Sequence, residues 1–290
     1  MDAIKRSRAV SFLIVFLVYT AAAFLGILVF RALPFSWWIS LFIADVAATV
    51  LTYFFSLTLK NASVYDPYWS VQPPVILFSF AVGRPLGLFS GLILLVVLLW
   101  AVRLTANWAY TFGNLMHEDW RYRMLRERTG RLYPLVNLMG IHMVPTLVVY
   151  ACTLPAAYAV RKAPIATPLS LLFLMVSVGA VLLQGIADVQ MHAYRKHRKT
   201  PFIRIGVWRY SRHPNYLAEI LMWWGIGLSV VAIAPTAWIL LAGAFANTAL
   251  FLFVSIPLAD GRQARKEGYP EYRAATRMLL PFPTLRRSNK

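Results

Sequence analysis

Residues 188–219, DVQMHAYRKHRKTPFIRIGVWRYSRHPNYLAE, place seven Lys or Arg between two acids and between long apolar runs. Such a stretch is a loop held at a membrane surface, and its flanks are membrane helices. Its charge suits an anionic ligand. Near its end Pro214 fits the first turn of a helix, where its fixed φ is pre-organised and its missing N–H is no loss. The positive end of that helix then lies beside Arg209, Arg212 and His213, and free N–H groups next to guanidinium forks favour phosphate. Trp208, Tyr210 and Tyr216 add flat faces on which a base or nicotinamide ring can stack. Against this stands a plainer reading, in which the basic loop is only a topology signal.

Outward from the loop, Asn215 and Glu219 are four apart and share one face of the following helix, where a carboxylate at membrane depth is costly and usually functional. On the preceding helix Asp188, His192 and Arg195 recur at i, i+4 and i+7, with Gln190 beside them. Two polar faces meeting at one basic loop describe a pocket.

The whole chain has 290 residues, 59% of them hydrophobic and 14% charged, against about 25% charged in a typical soluble domain. The expected fold is all-α, a polytopic membrane helix bundle. Apolar stretches long enough to span fall at about 10–30, 37–59, 86–112, 134–158, 168–190, 216–233 and 236–257. That makes seven crossings, or eight if the shorter apolar stretch 72–83 also crosses. The first follows Lys5, Arg6 and Arg8 as a signal peptide does, but it is long and has no small-residue cleavage site, so it is expected to be retained. The expected organisation is a single membrane domain, with 1–115 as substrate-side helices and 116–290 as a cofactor-binding half.

Of the 29 Lys and Arg, five fall in 117–132, seven in 191–213 and eight in 259–290. Two spans separate each of these segments from the next, so all three share one side, which the positive-inside rule makes cytoplasmic. Most of the net charge of +18 is therefore one face. Anionic membrane lipid is a fitting partner for it, and nucleic acid is not, because the cations are tied to spans rather than to a separate domain. Cys152 is the only cysteine, which excludes an intramolecular disulfide and a multi-cysteine metal site; the five His are scattered, and no metal is expected.

Asp45 is the one acid embedded in the first two spans; it either lines a pocket or bonds a nearby Ser or Thr. In KNASVYDPYWSVQPP, residues 60–74, Pro67, Pro73 and Pro74 are expected to break helix and leave Tyr65, Asp66, Tyr68, Trp69 and Gln72 on irregular backbone, which membrane depth tolerates only against a cavity or buried in protein. An interfacial aromatic belt is the alternative, although it gives no reason for Asp66 between two tyrosines. Arg103 either snorkels to the surface or joins EDWRY, 118–122, at the mouth of the cytoplasmic pocket, with Arg121 and Tyr122 placed for a 2′-phosphate or an adenine ring. Past the last span Asp260, Arg262 and Arg265 are positioned to close over a cofactor.

The run GVWRYSRHPNYLAEILMWWG, with YDPYWS, EDWRY and the later GYPEYRAATRMLLPFP, resembles the membrane steroid 5α-reductase superfamily, and most closely a bacterial branch carrying YDPYWS and SRHPNY. Sterol C14-reductases and, more distantly, isoprenylcysteine carboxyl methyltransferases share the RHPxY element. The resemblance implies NADPH-dependent reduction of an activated C=C bond in a steroid-like or other lipidic enone, a hydrophobic small-molecule substrate, and a multi-pass protein of the bacterial inner membrane with its cofactor side cytoplasmic. The residues expected to hold that cofactor are Arg121, Tyr122, Asp188, Gln190, Arg195, Arg204, Tyr210, Arg212, His213, Asn215, Tyr216, Glu219, Asp260, Arg262 and Arg265. Asp260 stands where the family most often has Glu. The family's catalytic Glu and Tyr have no sequence match here; by chemistry and location Asp66 and Tyr68 stand in, with Tyr110 a further candidate. No GxGxxG loop follows a strand, as suits a site built of helices alone. Two other readings stay open: an S-adenosylmethionine-dependent methyltransferase of the isoprenylcysteine type, and a non-enzymatic lipid-binding membrane protein. Oligomeric state is not legible.

Overall fold

Ser7 accepts the amide of Val10 and opens the first long helix, α1 (Arg8–Ala32), in a computed structural model that describes residues 5–281. α2 (Trp37–Thr58) returns along α1, and a 3₁₀ turn (Ala62–Tyr65) leads into α3 (Tyr68–Ala81). There follow α4 (Leu88–Thr111), a long helical run α5 (Trp120–Lys162), α6 (Pro168–Lys196), a 3₁₀ turn at Gly206–Arg209, α7 (Pro214–Val231), α8 (Pro235–Gln263) and a short α9 (Tyr269–Ala275). α5 is interrupted by a 3₁₀ turn at Gly130–Leu132 and a π turn at Asn137–Met143, and α8 by a π turn at Phe251–Ser255. No strand occurs among the described residues.

Six of these helices, α1, α2, α4, α5, α6 and α8, are long and apolar enough to cross a membrane. The other two expected crossings differ in kind. α3 has 14 residues, about 21 Å of rise against a hydrocarbon core of about 30 Å. α7 has 18 residues, carries Asn215 and Glu219, and buries most of its surface in protein rather than offering it to lipid. The expected break at Pro73 and Pro74 is also corrected, because both lie inside α3. They cost the helix two amide donors, yet Asp45 on α2 grips Tyr68 and Gln72 in the turn that leads into them.

Contacts divide the chain through α4 and α5. One unit comprises Met1–Arg84 and Trp100–Thr153, the other Pro85–Leu99 and Leu154–Lys290. In the first, small residues let α1 and α2 approach: a Cβ on Gly26 would lie 3.6 Å from the Ala44 carbonyl and 3.7 Å from the Ala48 side chain. Buried hydroxyls join its helices, with Thr49 and Thr146 at 2.9 Å and Tyr65 and Thr146 at 2.7 Å. In the second, Ser90 donates to Ala159 O at 2.8 Å, and α7 lies along α6 at Gly225, where an added Cβ would sit 2.7 Å from the Phe173 carbonyl and 2.2 Å from Ser177 Oγ. Thr167 and Ser170 form a reciprocal capping box that starts α6, with Pro168 in its first turn.

Candidate functional site

In the first unit, α1, α2 and α3 enclose a cavity of about 410 Å³, within the range of small-molecule sites. Most of its wall is apolar, and three polar side chains converge on one part of it: Asp45, Tyr68 and Gln72. Tyr68 Oη donates to Asp45 Oδ1 at 3.0 Å, and Gln72 Nε2 donates to Asp45 Oδ2. All three residues are buried. Tyr65 stacks on the Tyr68 ring, with centroids 5.2 Å apart, and Tyr19 meets it edge-on. The phenol is thus held by a carboxylate and two rings, which fixes its direction at the cavity wall.

The expected Asp66–Tyr68 pair is corrected by this geometry. Asp66 lies between the 3₁₀ turn and α3, and its Oδ1 accepts from Tyr122 Oη at 2.5 Å. The partner of Tyr68 is Asp45, an acid 23 positions away on another helix. Tyr110 stands 64% exposed and is not part of the cavity wall. Arg121 and Tyr122 are likewise engaged at home. Arg121 Nε donates to Asp119 Oδ1 at 2.8 Å, and EDWRY closes on the turn before YDPYWS: Glu118 accepts from Ala62 N at 2.9 Å and from Arg126 Nη2 at 2.9 Å, while Ser63 Oγ accepts from Asp119 N at 2.8 Å. The two motifs that stand out in the first half of the chain are therefore a latch that sets the start of α3, and with it Tyr68.

In the second unit the basic loop delivers a helix N-terminus where expected, since α7 begins at Pro214 with His213 at its cap. Several of its polar residues are bonded within the protein. Arg212 Nη2 donates to Asp260 Oδ2 at 3.0 Å, and its Nη1 donates to the carbonyls of Thr276 at 2.6 Å and Arg273 at 3.2 Å. Asp260 also accepts from Tyr269 Oη at 2.5 Å and pairs with His213 Nε2 at 2.8 Å. His213 stacks on Tyr216, the ring planes 4° apart. Glu219 accepts from Gln184 Nε2 at 2.7 Å and Trp223 Nε1 at 2.9 Å. Gln190 Oε1 accepts the amide of Val207 at 3.0 Å and fills the space over Gly206, whose φ of +59° and lack of a Cβ admit it. The physical reason is common to all: a buried charge or amide needs partners, and the chain supplies them itself.

What remains turned outward is cationic. Arg195, Arg204, Arg209 and Arg265 are exposed and make no ion pair with a described residue. Tyr210 and Arg262 are exposed; Asp188, Asn215 and Tyr216 are half-buried. A group that sequence reasoning missed lies here as well. Lys266 has its pKa lowered, first by burial and then by the neighbouring Arg198 and Arg262 charges. Cations crowded in this way are relieved by an anion among them. The Nε of Arg212 is also buried without a partner among the described residues.

A comparison with known protein families matches residues 52–277 to a family described as a protein of unknown function (DUF1295). The chain belongs to that family. It is steroid 5α-reductase-like. An uncharacterised protein of Schizosaccharomyces pombe is 28% identical over 198 residues, covering 58% of this chain and 57% of that protein. The chain thus spans little more than half the length of that relative. No solved structure matches it.

Proposed function

We propose that the protein is a membrane oxidoreductase that uses NADPH to reduce the activated C=C bond of a lipidic enone. The observation that carries this reading is a buried phenol, Tyr68, aimed by a buried carboxyl, Asp45, in the wall of an otherwise apolar cavity. The reading asks two things of the chain, and each unit supplies one. The first unit offers an apolar chamber with a hydrogen-bond donor; the second offers cations and a helix N-terminus for phosphate.

NADPH, when bound, supplies a hydride to the β-carbon of the enone and leaves as NADP⁺. The C=C electron pair shifts toward the carbonyl oxygen, and the Tyr68 O–H turns from Asp45 to the developing charge while its oxygen accepts from a protonated Asp45. Asp45 holds the phenol in line, and Gln72 holds Asp45. The proton that completes addition at the α-carbon is passed from the Tyr68 hydroxyl and replaced from water. The arginines exceed what one pyrophosphate needs, so NADPH should be preferred over NADH.

Two measurements test this. Purified protein in detergent should be protected against heat by NADPH, less by NADH at equal concentration, and not by S-adenosylmethionine. With a panel of 3-oxo-4-ene steroids and simpler enones, Tyr68→Phe should lower turnover by about a hundredfold or more, the cost of one lost oxyanion donor, with NADPH protection unchanged. Protection by S-adenosylmethionine alone would turn the reading toward methyl transfer. Full turnover in Tyr68→Phe would remove the donor named here.

A further inference from the structure

We infer that the substrate of this cavity carries an anionic group, such as a carboxylate, at the end remote from its carbonyl, and that Arg31 receives it. The inference rests on the reading of the cavity as the substrate site. Polar side chains are not spread evenly around the chamber. Asp45, Tyr68 and Gln72 cluster together, and Arg31 is the one cation among the lining residues. Tyr19 and Ser79 also line it, but their hydroxyls are spent on the backbone carbonyls of Val64 and Val75, both at 2.7 Å. The wall between the cluster and Arg31 is made of residues such as Ala23, Ile27, Phe30 and Ile76.

The spacing follows from the helices. Gly26 of α1 faces Ala44 of α2, which sets Asp45 level with Gly26. Arg31 is five residues further along α1, about 8 Å by helix rise, and Asp45 is eight residues from the start of α2, about 12 Å. A ligand whose carbonyl meets Tyr68 therefore reaches Arg31 with an end group roughly 8–12 Å away, plus the reach of the arginine itself. Arg31 is exposed and makes no ion pair with a described residue. A cation in the last turn of a helix is favoured by the helix dipole, and a long side chain at a span end reaches for water. Neither role requires a place in the cavity wall. Together with an apolar middle and a carbonyl site at the other end, Arg31 gives the chamber the polarity of an amphipathic acid.

Binding to purified protein is followed by tryptophan quenching for two acid–ester pairs: a 3-oxo-4-ene steroid with a side-chain carboxylate and its methyl ester, and a straight-chain enone with a terminal carboxylate and its methyl ester. For at least one skeleton the acid should bind about tenfold more tightly than its ester, in keeping with one charge-assisted pair. Arg31→Gln should abolish that preference while leaving ester affinity unchanged, and Arg31→Lys should restore part of it. Equal affinity for acid and ester in both skeletons, or a preference that survives in Arg31→Gln, overturns the anion anchor. The reductase reading then stands if the esters are still reduced in a Tyr68-dependent way. If neither form of either skeleton binds while NADPH still protects against heat, the anchor and the enone reading fall together.

Discussion

Asp45 and Asp66 both lie near Tyr68 in the sequence or in space, and their partners divide them. Asp45 is tied to the phenol, whereas Asp66 belongs to the latch with Tyr122. Burial, the largest effect, outweighs the Arg121 charge and the Tyr122 hydrogen bond and pushes the Asp66 carboxyl up to about 6. A carboxyl raised on folding contributes stability that is fully present below its unfolded value near 4 and is lost as pH rises through about 6. Asp66→Asn removes that titration, so melting temperatures should show wild type losing ground to the variant between about pH 4 and 6.5 and holding a constant difference above. A difference that does not change with pH would place the titration elsewhere. Arg212 gives a second residue-scale prediction. Its guanidinium anchors a buried acid, and removing one partner of such a pair costs about 3–5 kcal/mol, so Arg212→Ala should lower the melting temperature markedly even without ligand. Why sequence reading misjudged these residues is plain. It could see that charges and phenols stood close together in the chain, and it paired Asp66 with its neighbour Tyr68 and read Arg212 without its buried acid. The actual partners, Asp45 and Asp260, lie 23 and 48 positions away, at separations that leave no periodic mark.

Helix starts were more legible than helix interiors. Pro214 opens α7 as its chemistry demands, and Thr167–Pro168 opens α6. Pro73 and Pro74 misled, because a proline's local cost says nothing of the tertiary grip that outweighs it. Loss of the Thr167 side chain should cost about 1 kcal/mol, visible as a modest drop in thermal stability in Thr167→Ala. The crossing of α6 and α7 is less forgiving. Gly225→Ala would press a Cβ to 2.7 Å from the Phe173 carbonyl, an atom of backbone that cannot swing aside. Its expected cost is about 1–3 kcal/mol, larger than that of Gly261→Ala, which meets nothing within 4 Å. Chemical denaturation of the two variants side by side checks the order.

For the molecule as a whole, the all-helical membrane class was open to reading from composition alone, since apolar runs and clustered cations are properties of the chain before it folds. The division into units was not, because it passes through the middle of α4 and α5, where no linker marks it. Topology is testable with little engineering. Cys152, the only cysteine, is buried, so single cysteines at exposed Arg128, Arg209 and Arg265 can be probed with a membrane-impermeant thiol reagent. All three should label from the cytoplasmic side, and Arg31→Cys from the opposite side. The tie between Arg212 and the end of the described chain has a different kind of consequence. Its side chain grasps the carbonyls of Arg273 and Thr276, and its amide donates to the carbonyl of Arg277 at 3.0 Å. Every residue type offers that carbonyl. Substitutions at 273 and 277 should therefore leave the fastening in place, whereas truncation before residue 273 should undo it.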